Sequence, residues 1–177
     1  QVFGRSGVQE GPTSGPERLN TRTPERLTPD VIDLLTSLVE KSLVEYEEQA
    51  GEARYRLLET IREFGRECLA AGQEEGAIRQ QHARFFLALA ETAEPELHRG
   101  DQAEWLDRLE AEHGNLRAAL AWYQAADDAE AGLRLASALG WLWLKRNYFT
   151  EGRHWLEQAL SHASGAPAAL RLKALQT

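Results

Sequence analysis

From about residue 74 to residue 177 apolar residues return every three or four positions, with few interruptions. A 3.6-residue period gathers such residues on one helix face, so this stretch reads as a succession of helices packed on one another. Ile78, His82, Phe85, Phe86, Leu89 and Ala93 form the first face, which Pro95 ends. Trp105, Leu106, Leu109, Leu116, Ala119, Leu120 and Tyr123 mark one or two further helices, with a break expected at Gly114-Asn115 and Asn115 recapping the second. Leu133, Ala136, Leu139, Gly140 and Trp143 lie on the next. After a turn near Arg146-Asn147-Tyr148, another helix carries Phe149, Gly152, Leu156, Ala159 and Leu160. The link 161–167 precedes a last run, Leu170-Arg171-Leu172-Lys173-Ala174-Leu175, which reads as a helix just begun.

The N-terminal part follows other rules. Residues 1–27 hold three prolines and four glycines without an apolar period, and are expected to be disordered or irregular. Order is expected from Thr28-Pro29-Asp30, an N-cap followed by proline in the first turn, with Val31, Leu34, Leu35, Leu38 and Val39 as a stripe. Leu43–Tyr46 and Arg54–Leu57 flank the polar link 47–52 and read as a hairpin. A helix follows, with Thr60 and Glu63 at capping-box spacing, Ile61, Phe64, Cys68 and Leu69 as its apolar face, and Gly72 as its stop.

Composition narrows the functional classes. The net charge of −8 and the pI near 5.2 argue against a nucleic-acid-binding surface, which needs a basic face to displace counterions. Arg54, Arg56, Arg62 and Arg66 could serve a DNA-reading wing, but Glu45, Glu47, Glu48, Glu52, Glu59, Glu63 and Glu67 surround them. No apolar run reaches the ~18–20 residues of a membrane span. The single Cys68 cannot form an internal disulfide, so a cytoplasmic protein with a buried, inert thiol is expected. The histidines at 82, 98, 113, 154 and 162 show no paired metal-ligand spacing. His82 is expected to be packed and hydrogen-bonded, and Glu110, Glu112 and His113 to cap or bridge helices. No phosphate-cradling G-x-x-x-x-G-K-[ST] loop occurs, and no enzyme site is expected. With no methionine in the chain, both ends are expected to be cuts through a longer polypeptide.

Leu139-Gly140, then Gly152, then Ala159-Leu160 place small residues where two antiparallel helices would approach closely, with Trp143, Phe149 and Leu156 as the bulky residues between them. This resembles the tetratricopeptide repeat, best over residues 133–163; the alternative is an ordinary helical bundle with tight packing. Leu139, Gly140, Gly152 and Ala159 are the expected repeat-packing residues. Trp141 and Trp143, two apart on one helix, cannot face the same way. Trp141 therefore reads either as packing or as a contact for a partner.

The blocks Val31–Val44, Arg54–Phe64 and Leu109–Leu120 resemble, in this order, the bacterial signal-transduction ATPases with numerous domains, regulators of the AfsR/LuxR type. The resemblance implies a mainly α fold: a partial winged helix over residues 28–72, then an α-solenoid of tetratricopeptide-like helix pairs over 73–177. It also implies an upstream nucleotide-binding module of the same polypeptide, where ATP or ADP and magnesium would bind, and a protein or small-molecule effector on the repeats. Leu57-Leu58-Glu59 stand where relatives of that family carry a Met-His-Asp triplet whose histidine touches ADP; Leu58 cannot donate such a bond, so no cofactor is expected here. The other reading is a stand-alone helical scaffold or a winged-helix DNA-binding adaptor.

Overall fold

The computed structural model describes residues 28–49, 52–99 and 102–177. Residues 1–27, where disorder was expected, lie outside the described residues. The chain divides into two compact units, residues 1–62 and 63–177.

In the first unit, α1 (Thr28–Glu40) leads into the antiparallel strands β1 (Val44–Gln49) and β2 (Glu52–Leu57). Helix α1 stops where Ser42 takes a left-handed backbone (φ 55°) and the Leu43 N–H reaches back to the Leu38 carbonyl at 3.0 Å. Among the described residues of this unit, Val44 is the buried one. The strands are longer than the apolar signal suggested, because the charged positions Glu47, Glu48 and Glu52 join the ladder and leave only residues 50–51 between them. The expected α1 stripe is only partly covered: Leu35, Leu38 and Val39 are half-buried, Val31 and Leu34 exposed.

Helix α2 (Glu59–Ala71) starts one residue before the expected cap, which puts Thr60 inside it. The capping box therefore gives way to Glu59–Arg62 and Glu63–Arg66 pairs, the latter at 3.2 Å. Its apolar face is incompletely buried, with Ile61 and Leu69 half-covered and Phe64 exposed. Cys68 is exposed too, contrary to the buried thiol expected. The stop comes from Gln73 rather than Gly72: Gln73 adopts φ 58°, and the Glu74 N–H bonds the Leu69 carbonyl at 3.1 Å.

The second unit continues through α3 (Glu75–Glu96), α4 (Gln102–Ala111), α5 (His113–Ala125), α6 (Ala129–Lys145), α7 (Phe149–His162) and α8 (Ala168–Gln176). Helix α3 buries Ala83, Phe86, Leu87, Ala90 and Ala93, so its inner face is offset from the expected one and Ile78 and Phe85 stay exposed. The break between α4 and α5 falls at Glu112, not at Gly114-Asn115. Bonds from Glu112 to Arg108 (3.2 Å) and from Leu116 to Glu112 (2.9 Å) carry the ladder almost unbroken across it. Asn115 caps nothing; its amide donates to the Glu112 carboxylate at 2.6 Å.

Helix α6 is the centre. Asp128 caps it, its carboxylate accepting the Ala131 N–H at 3.2 Å, and eleven of its residues are buried. A helix that is apolar or small on every side has to be enclosed. It packs on α3, α4, α5, α7 and α8. Leu135, Leu139, Leu142 and Trp143 join Phe86, Leu109, Leu116 and Leu120 in the larger core cluster. Leu133 meets Ala163 and Ala174 in a smaller one towards α8. The buried Ser137 is satisfied within the helix, donating to the Leu133 carbonyl at 2.7 Å. Among the described residues no helix is long and apolar enough to cross a membrane.

Glycine positions separate packing from propensity. A Cβ on Gly152 would meet the Trp143 ring at 2.8 Å, whereas one on Gly65 in α2 would meet nothing within 4 Å. Gly152→Ala is expected to destabilise the helical unit by ~1–3 kcal/mol through overpacking, and Gly65→Ala to stabilise by up to ~1 kcal/mol through helix propensity. Urea denaturation followed by circular dichroism checks both signs.

Candidate functional site

The hairpin has two chemically different faces. Register pairs Val44 with Leu57 and Tyr46 with Tyr55 on one face, the two tyrosine rings 5.5 Å apart. On the other face Glu45 stands opposite Arg56 and Glu47 opposite Arg54. Opposite charges directly across a ladder satisfy each other. Arg62 and Arg66, the other two cations of the expected wing surface, pair with Glu59 and Glu63. Every arginine that could meet a phosphate here thus already faces a carboxylate. Leu57 and Leu58 are both partly exposed at the strand end, and Glu59 opens α2.

In the helical unit the small residues singled out from the sequence lie at helix contacts. Leu139 and Gly140 are buried on α6, and a Cβ at Gly140 would overlap the Thr177 side chain at the end of α8. Gly152 is buried against Trp143, and Ala159 packs against both core clusters. Of the bulky residues between them, Trp143 is buried, Leu156 half-buried, and Phe149 exposed rather than packed. Trp141 is half-buried: its ring lies 4.7 Å from His98, with the Lys145 ammonium 4.8 Å from the ring centroid, and its indole N–H is enclosed without an acceptor among the described residues.

A polar seam that sequence reasoning only touched joins α4–α5 to the α6–α7 corner. Because the α4–α5 ladder is nearly continuous, Asp107, Glu110, His113 and Arg117 fall on one face at helical spacing. Opposite them, Arg146 pairs with Asp107 and Glu110, and the Tyr148 hydroxyl donates to Glu110. The Tyr148 ring stacks on His113 at 4.6 Å. Glu151, 14% exposed, accepts from Arg117 Nε at 2.7 Å and pairs with His113 Nε2 at 3.0 Å. Burial pushes the Glu151 carboxyl up, but the Arg117 hydrogen bond and the charges of His113 and Arg117 outweigh it and hold it below the usual carboxylate range. Glu110 and His113 do bridge helices, as expected; Glu112 does not cap α5 with its side chain. The signal for the seam was present in the 107, 110, 113, 117 spacing, but the expected break at Gly114-Asn115 concealed it.

The remaining histidines are scattered. His82 is half-buried against Phe86 at 4.6 Å, His154 lies beside Trp155, and His162 bonds Ser161 and the Gln158 carbonyl. Among the described residues, no group of three or more His, Cys, Asp or Glu side chains could hold a metal ion.

Helix, hairpin and helix, followed by closely packed helices, define a partial winged helix leading into a helical arm. Residues 24–70 match the family model described as a winged helix-turn-helix domain. The chain is also 36% identical over 149 residues to proteins named "Putative HTH-type transcriptional regulator" in Mycobacterium bovis and in two strains of Mycobacterium tuberculosis. The aligned stretch is 82% of this chain and 17% of the relatives' length. No solved structure matches the chain significantly.

Glu151 carries a pH signature. A depressed carboxyl contributes stability above the pKa of the unfolded chain and loses it as pH falls through the lower folded value. Glu151→Gln is expected to cost ~1–3 kcal/mol at neutral pH by weakening charge-assisted bonds. The gap to the parent should close below pH ~4. Urea titrations at several pH values test this; a gap independent of pH contradicts it.

Proposed function

We propose that this chain is the non-catalytic arm of a transcriptional or signalling regulator of the signal-transduction ATPase type. In this reading the winged-helix segment relays the state of a nucleotide-binding module elsewhere in the polypeptide, and the helices from residue 73 onward are tetratricopeptide-like repeats that hold a protein or small-molecule effector. The relatives' printed names and the winged-helix match support the regulator.

The observation that carries the repeat reading is an offset. Arg117 bonds Glu151 and Gln124 bonds Gln158 across α5 and α7, and each pair is separated by 34 residues. That is the length of a tetratricopeptide repeat, so equivalent positions of successive units touch. With α4–α5 nearly one continuous helix, the pairs are α3 with α4–α5 and α6 with α7; their first helices, α3 and α6, touch, and α8 touches α6 in turn. A helix pair that cannot bury both faces alone is completed by its neighbour.

The wing is read as a domain-facing surface rather than a DNA reader, because its arginines stand opposite carboxylates and acidic residues outnumber basic ones over 28–71. Non-specific DNA affinity is largest at low salt. A gel-shift series with duplex DNA is expected to show no complex even there. A complex that weakens steeply as salt rises would favour a DNA-binding adaptor instead. Sequencing the gene upstream of residue 1 tests the ATPase assignment: it requires a phosphate-binding loop in the same reading frame.

A further inference from the structure

We draw no further inference here: the strongest candidate, the apolar groove that α6, α7 and α8 line with Trp143, Phe149, Leu156 and Leu175, is an unpartnered face, and nothing in the structure shows what covers it.

Discussion

Contact between the Trp143 ring and the bare backbone of Gly152 sets how closely α6 and α7 approach, and much of the helical unit depends on that approach. With α7 drawn in, the α6–α7 corner is positioned to bring Arg146, Tyr148 and Glu151 against α4–α5. Helix α6 is then largely enclosed, with eleven of its residues buried, as a helix whose residues are nearly all apolar or small must be. Its one internal charge, Arg134, sits at the margin and is held by both oxygens of Glu91 on α3, at 2.7 and 2.8 Å. At the far end Lys173 of α8 reaches Glu94 of the same helix α3 at 2.6 Å. Apolar packing makes the centre, and charge fixes how the outer helices lie around it.

The two units solve different problems. The hairpin gathers its aromatic residues on one face and cancels its charges on the other, which leaves little free positive potential to attract a polyanion. The helical arm instead has a continuous apolar interior built around α6.

The sequence made the helices legible because their period is local, and among its small residues Gly152 stands where an added Cβ would meet the Trp143 ring at 2.8 Å. Four of the helix ends were less visible, since Ser42, Gln73, Asp127 and Asn147 all take the left-handed backbone that glycine normally marks. Gly72 was therefore credited with a stop that Gln73 makes. Which face of α3 turns inward was also beyond local reading: Phe85 and Phe86 are adjacent and equally apolar, and only the position of α5 and α6 decides that Phe86 is buried. The Glu151 hub is a tertiary fact. Nothing within ten residues of Glu151 announces that His113 and Arg117 will meet it.

The central claim is that α6 is the common core of a single cooperative array of helices. Native-state hydrogen exchange measures this most directly, because an amide that opens only on global unfolding reports the full stability of its unit. The α6 amides from Leu133 to Leu142 are predicted to be the slowest in the chain, to exchange together, and to lose protection in step when Gly152→Ala loosens the α6–α7 contact. If α6 exchanges no more slowly than α4 or α8, or if Gly152→Ala leaves its protection intact, the array is not organised around that helix.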